Sequence, residues 1–271
     1  LEVPVKLLTF IQNIAYSNVR KILLILLLTC TLPAGLAFGQ VLEEEEGYTR
    51  EFTYGLNFNT NGGLLGGAMI KQVYHLQNKW YHFWALEGVE VKHPKETRWQ
   101  NHYTGASFVV GKSNYLFVLR PQYGREYTFF RKAAESGVQV NGLVAAGPSI
   151  GFLAPYYIQY DYTRYDNNGN PLGPPDVRTE QYDPSVHTQP DYRIVGSSGV
   201  FTGLAEPTLK FGGNIKAGVS FEYGRYMESV TGIEVGLMYE AFTSDIVIIP
   251  QATNSSSFTS VYLTLYYGRR R

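Results

Sequence analysis

From about residue 50 to the end of the chain, apolar and polar residues alternate in short runs separated by Gly, Asn, Pro and Ser clusters. A period of two residues is the mark of strands whose two faces meet different surroundings. The run Asn214 to Tyr223 is the clearest: Ile215, Ala217, Val219, Phe221 and Tyr223 share one face, and Asn214, Lys216, Gly218, Ser220 and Glu222 share the other. The next run sets Ile233, Val235, Leu237, Tyr239 and Ala241 against Gly232, Glu234, Gly236, Met238 and Glu240. In the last, Val261, Leu263, Leu265 and Tyr267 oppose Ser260, Tyr262, Thr264 and Tyr266. The pattern predicts ten strands, at 50–59, 64–75, 79–91, 104–111, 114–128, 137–146, 150–161, 209–223, 229–247 and 256–268.

Alternation of this kind suits a soluble sandwich, with its apolar row inward, and equally a membrane barrel, with its apolar row toward lipid. The polar row separates them. It is rich in glycine, serine and isolated charges, as a narrow lumen requires, and poor in the dense Lys and Glu of a water-facing sheet. Run length agrees, since a tilted strand crosses a bilayer in roughly 9–11 residues. Trp80, Tyr81 and Trp84, then Tyr156, Tyr157 and Tyr160, then Tyr266 and Tyr267, fall near run ends and fit interfacial girdles. The expected fold is all-β: an antiparallel transmembrane β-barrel of about 8–10 strands, ten preferred, preceded by a signal peptide. Eight strands stay open if 137–161 crosses once through Gly147-Pro148-Ser149 and 50–75 forms one bent strand. With the C-terminus in the periplasm, the long connection 162–208 is extracellular. Parity then puts Gln77-Asn78, Lys112-Ser113, Gly147-Pro148-Ser149 and Arg225 to Glu228 on the periplasmic side.

The beginning of the chain follows a different pattern. Arg20 and Lys21 precede the apolar run Ile22 to Leu28, and Ala37-Phe38-Gly39 offers a small-x-small site before Gln40, which is the layout of a secretory signal. Pro33 and Gly35 break the run well short of the 20 or so residues of a membrane helix. Cleavage is expected after Gly39, with translation starting at Val19 and residues 1–18 upstream of the signal. A lipoprotein signal through Leu27-Leu28-Thr29-Cys30 fits less well, because Thr29 is large for the position before a lipidated cysteine. Residues 40–49, with Glu43 to Glu46, are expected as a solvated acidic linker, and 50–271 as the barrel.

Composition narrows the chemistry. Cys30 is the one cysteine of the chain, so a chain cleaved at Gly39 has no disulfide, no thiol chemistry and no cysteine metal site. Acidic and basic residues balance at 23 each, which gives no basic field for a nucleic-acid backbone. His75, His82, His93, His102 and His187 lack zinc-site spacing. No nucleophile elbow or phosphate-binding glycine loop occurs, and Gly147-Pro148-Ser149 reads as a turn. His82 with Ser107 is the one nucleophile pair that could be drawn together, and no spacing selects it. The chain is expected to be no enzyme and to need no cofactor or metal.

Two groups remain as candidate functional residues. Lys71, Arg120, Glu126, Lys216, Glu222, Glu234 and Glu240 fall on inward faces, where buried charges persist only when paired, so they are expected to form an ion-pair network filling a narrow lumen. In the 162–208 connection, Asp166-Asn167-Asn168-Gly169-Asn170, Gly173-Pro174-Pro175-Asp176 and Asp183-Pro184 are turn signals whose order departs from a calcium loop. Tyr162, Tyr165, Tyr182 and Tyr192 of the same connection are candidates for surface recognition.

Val91 to Glu96, Gly111 to Asn114 with Arg120 to Arg125, and Gly147 to Gly151 with Pro155-Tyr156-Tyr157 resemble a family of outer-membrane β-barrel proteins from the Bacteroidota. The likeness covers most of residues 50–268, and it implies an outer-membrane barrel of unassigned role with no catalytic residues to carry over. Many such barrels finish on an aromatic residue, whereas here Gly268 and three arginines follow Tyr267. The expected role is structural or accessory in the cell envelope, with outer-membrane lipid and an envelope protein as partners and no nucleic acid. The alternatives are a small passive pore or solute transporter and a soluble secreted sandwich that binds glycans.

Overall fold

The computed structural model describes residues 48–131, 137–187, 193–223 and 228–271, the side chains of 63–65 excepted. The signal segment 1–39, its cleavage at Gly39 and nearly all of the 40–49 linker lie outside the described residues.

In chain order the strands are β1 (Arg50–Asn59), β2 (Gly63–Gln77), β3 (Trp80–Val91), β4 (Arg98–Gln100), β5 (Ser107–Val109), β6 (Asn114–Phe130), β7 (Val138–Pro155), β8 (Tyr157–Asp161), β9 (Val177–Gln181), β10 (Ile194–Ser197), β11 (Thr208–Tyr223), β12 (Ser229–Ile246) and β13 (Ser255–Arg270). Eight of them close into a barrel in the order β1-β13-β12-β11-β7-β6-β3-β2, every neighbouring pair antiparallel. The other five form two small sheets, β4-β5 and β10-β8-β9.

The wall has inverted polarity. Leu237 is 60% exposed while its chain neighbour Met238 is 2% exposed, and in β11, β12 and β13 the outward residues are largely apolar while Lys216, Glu222, Glu234, Glu240 and Arg270 are buried. Phe211, Ile215, Phe221, Leu237, Leu263 and Leu265 point outward, and lysine, arginine and glutamate point in. A wall that is apolar outside and ionic inside is stable only with lipid around it.

The preferred count of ten strands is corrected to eight, and the physical reasons are local. The 137–146 run and the first half of the 150–161 run are one strand, β7, 18 residues long, and the rest of the second run is β8, outside the barrel. Its pairing with β6 runs to Leu119↔Ile150 and resumes at Tyr123↔Ala146 in the same register, which sets Pro121 opposite Pro148. Two imino residues without N–H groups interrupt the ladder there without turning the chain. Run 104–111 contributes only β5, paired with β4 outside the barrel. Residues 50–75 remain two strands, β1 and β2, and not one bent strand.

The new count changes the sides. Gln77-Asn78, with Asn78 at φ 53°, turns β2 into β3 at the end that also holds Arg50 and Arg270, and the β11–β12 connection lies at that same end. Lys112-Ser113 lies at the opposite end, with the long connections, and Gly147-Pro148-Ser149 is in mid-strand. The girdle clusters also divide, because adjacent strand residues face opposite ways. Trp80 and Trp84 face out and Tyr81 is buried; Tyr267 faces out and Tyr266 is buried.

Space inside is shared by rings and glycines. A Cβ on Gly218 would sit 2.6 Å from the Tyr262 hydroxyl, and one on Gly236 would sit 2.8 Å from the same atom. Gly218→Val is expected to destabilise the barrel by about 1–3 kcal/mol through overpacking, read as a lower urea midpoint in lipid vesicles. At the loop-bearing end the inward residues turn apolar: Val89, Val91, Leu116, Val118, Leu153, Phe242 and Ile246 form one cluster. Ile248 and Ile249, from the β12–β13 connection, complete that cluster. Asn254 fixes them, accepting from the Ile248 N–H at 3.0 Å and donating to the Ile249 carbonyl at 2.9 Å.

Candidate functional site

Starting from the end with Arg50, the inward charges form successive levels. Arg270 donates to Glu51 at 2.6 Å and to Glu222, with its guanidinium 3.9 Å from the Tyr48 ring centroid. Lys71 pairs with Glu126 at 2.9 Å and Glu234 at 3.5 Å, over the Phe83 ring. Lys216 pairs with Glu87 at 2.7 Å and Glu234 at 3.1 Å, and the Tyr262 hydroxyl donates to the same Glu234 oxygen at 3.0 Å. Arg120 forks onto Glu240 at 2.8 and 2.7 Å; Ser149 also donates to Glu240, at 2.5 Å. Asn214 donates to Ser149 at 3.0 Å and accepts from Gln122 at 2.7 Å.

These pairs reach across the lumen. Lys216 on β11 and Glu87 on β3 are separated by β7 and β6, and Arg120 on β6 and Glu240 on β12 by β7 and β11. All seven residues expected as inward charges, Lys71, Arg120, Glu126, Lys216, Glu222, Glu234 and Glu240, are buried and lie in these pairs. Glu51, Glu87 and Arg270 join them and were not among the candidates. Glu51 was legible, since it shares parity with Thr53 and Asn57 against Phe52, Tyr54 and Leu56. Glu87 was masked because its companions Tyr81, Phe83, Ala85 and Val89 are as apolar as the outer face of β3. Arg270 lies past the expected strand end at 268.

Among the described residues, the buried carboxylates Glu51, Glu87, Glu126, Glu222, Glu234 and Glu240 outnumber the barrel's buried cations Lys71, Arg120, Lys216 and Arg270. Each cation serves at least two carboxylates or one fully forked one, so losing a cation strands more charge than losing a carboxylate.

The small sheets make a cap at the loop-bearing end. Phe108, Tyr156, Ile158, Tyr160, Tyr182 and Ile194 form its core, with Trp99, Val109 and Tyr162 packed against them. Asn101 donates to the Ile194 carbonyl at 2.8 Å and Thr104 to the Val195 carbonyl at 2.7 Å, tying the β4–β5 turn to β10. The four recognition tyrosines have different settings. Tyr165 is exposed and donates to Asp161 at 2.7 Å; Tyr162 donates to Glu180 at 2.5 Å; Tyr192 lies outside the described residues. Tyr182 is corrected from a surface residue to a core one, because its ring is 3% exposed and its hydroxyl donates to the His187 carbonyl. Tyr103 and Phe201, at 90% and 86% exposed, are the aromatics the cap presents most fully, and neither was singled out by spacing.

His187 accepts at Nδ1 from the Asp183 N–H at 2.9 Å, which leaves its Nε2–H to face Glu180 at 2.8 Å. Partial burial pushes the Glu180 carboxyl up, but the Tyr162 and His187 donors, with Arg178 nearby, outweigh it and hold the group below its ordinary range. A depressed carboxyl adds stability above its unfolded pKa, near 4.3, and that contribution disappears as pH falls through the folded value. The β8–β9 pair is therefore expected to lose amide-exchange protection, measured against the intrinsic rate at each pH, below about pH 4, while β11 and β12 stay protected. Glu180→Gln should remove most of that pH dependence.

His82 and Ser107 sit at opposite ends of the molecule, the first on the barrel wall beside the β2–β3 turn and the second in β5, so they form no catalytic pair. No group of three His, Cys, Asp or Glu side chains among the described residues is arranged to hold a metal ion.

A closed antiparallel sheet with an apolar outer wall and an ionic lumen defines a transmembrane β-barrel. No family model and no curated protein matches the chain. Among solved structures, the chain is similar to Ail, the attachment invasion locus protein of Yersinia pestis, in complex with the heparin analogue sucrose octasulfate, at 11% identity and TM-score 0.36. It is similar to the crystal structure of neisserial surface protein A at 9% identity and TM-score 0.36, and to a further Ail crystal structure at 12% and 0.35. In each case 83% of this chain and 100% of the other are covered. The class assigned above stands on this chain's own strand order and wall polarity, and no residue role is carried across.

Proposed function

We propose that this chain is an outer-membrane β-barrel of a Gram-negative envelope, exported by a signal peptide cleaved near Gly39 and akin to the Bacteroidota barrels its segments resemble. Its role is structural or accessory: the lumen is a plug, and the cap at the loop-bearing end is the part that meets an envelope partner.

The observation that carries the reading is the set of ion pairs between non-adjacent strands. Lys216 to Glu87 and Arg120 to Glu240 bridge the interior, and each group is at most a few per cent exposed. A water-filled pore keeps its wall charges hydrated and apart, whereas these groups neutralise one another in an interior of the width that eight strands leave. Ile248 and Ile249 add an apolar stopper over the charged levels.

The test is to fold the chain from Gln40 into lipid vesicles, follow its heat-modifiable gel migration and record single-channel currents. Heat-modifiable migration with no stepwise conductance is the expected result. Steady conductance would replace the plug with a pore, and a chain that stays soluble without lipid would remove the membrane assignment.

A further inference from the structure

The outer wall is apolar along β7, β11 and β12, but on the opposite side it carries a line of polar residues. Cross-strand pairing runs Arg50↔Tyr74, Tyr74↔His82 and His82↔Arg125, so these four side chains stand in one row across β1, β2, β3 and β6, all on the outward parity. The rings of Tyr74 and His82 stack at 5.4 Å, and the Arg50 guanidinium lies 5.8 Å from the Tyr74 ring centroid. Arg125 is exposed and makes no ion pair or hydrogen bond among the described residues.

Aromatic pairs bracket the row: Trp84 with Tyr123 on one side and Trp80 with Tyr127 on the other, each with ring centroids 4.9 Å apart. Such rings mark the depth at which acyl chains give way to headgroups. His82 is two residues from the start of β3, so the row lies at that depth on the end that holds Arg50. An unpaired guanidinium facing lipid is tolerated where an anion meets it, and less so deeper in the hydrocarbon. Around this end the exposed charged side chains among the described residues are Arg50, Lys79, Arg125, Arg131, Arg269 and Arg271, with Glu228 the one exposed acidic side chain.

We propose that Arg125 and His82 hold the phosphate of an anionic phospholipid headgroup, with Arg50 at the far end of the row as a second cation. Neighbouring strands are about 4.8 Å apart, so the two side chains stand close enough for one phosphate to accept from both. The guanidinium offers a planar pair of N–H donors, and the imidazole offers at least one in either protonation state. The acyl chains then run along Trp84 and Leu86, which are exposed on the wall above. The site rests on the membrane reading given above, and the test separates the two.

The protein is folded into phosphatidylcholine vesicles containing a minor fraction of brominated phosphatidylglycerol, or the same fraction of brominated phosphatidylcholine. Quenching of Trp80 and Trp84 reports which lipid sits against the row; Trp99, in the cap, contributes a constant background. Phosphatidylglycerol is expected to quench at about fivefold lower mole fraction, the scale of one interfacial arginine. Arg125→Gln should abolish that preference and leave heat-modifiable migration intact, and His82→Phe should weaken it independently. Equal quenching by both lipids in the wild type overturns the site. So does a preference that survives Arg125→Gln, which would assign it to the diffuse basic rim of Lys79, Arg131, Arg269 and Arg271. Loss of heat-modifiable migration in the wild type would instead overturn the membrane reading, and the lipid site with it.

Discussion

Lys216→Met is expected to lower the unfolding free energy of the inserted barrel by about 3–5 kcal/mol, the cost of leaving buried charge without its partner. The ammonium is buried and pairs with Glu87 at 2.7 Å, on β3 across the lumen, and with Glu234 at 3.1 Å, on the adjoining strand β12. Methionine nearly matches its length and removes only the charge. Both carboxylates then remain in an interior where Lys71 and Arg120 already serve Glu126 and Glu240. Urea titration in vesicles, followed by gel migration, measures the loss. The double variant Lys216→Met/Glu87→Gln should recover more than half of it, because Glu234 keeps Lys71 and the Tyr262 hydroxyl. A single variant as stable as the wild type would mean that these groups are hydrated, and the lumen open.

Val235→Arg tests the other face. Val235 is outward, 38% exposed, and paired with Val219 and Leu263 on either side. It lies near the middle of β12, where an arginine facing lipid costs about 2–4 kcal/mol. Glu234→Gln, one residue away and inward, should cost less, because Lys71 retains Glu126 and Lys216 retains Glu87. Comparable folding yields for the two variants would mean that the faces are reversed. The comparison is informative because the residues are neighbours in sequence and share nearly all backbone context.

How far the sequence could be read depended on contrast between faces. In β11, β12 and β13 lipid lies on one side and ion pairs on the other, so alternation gave the strands and their parity directly. In β3 the lumen side is as apolar as the outer side, and Glu87 disappeared into the pattern. In β7, Gly147-Pro148-Ser149 reads locally as a turn, and only the facing Pro121 on β6 explains why the strand passes straight through. The β4–β5 hairpin alternates like a membrane strand but is three residues on each side, and its Phe108 serves the cap core instead. Pairing partners were not legible at all. Which carboxylate Lys216 meets depends on the circular order of strands, which no local run encodes.

β1 is the shortest strand of the barrel, ten residues against 15 in β2 and 16 in β13. It is also the splice at which the circle is completed, through pairs such as Glu51↔Arg270, which bring together residues at opposite ends of the described sequence. The hairpins β2–β3, β6–β7 and β11–β12 need only short excursions of chain, while this joint must gather the whole of it, so it is expected to zip last. Until it does, β1 and β13 each present a bare row of peptide groups, and hydrocarbon supplies nothing to satisfy them. Entering the bilayer and closing the circle are for this chain one event.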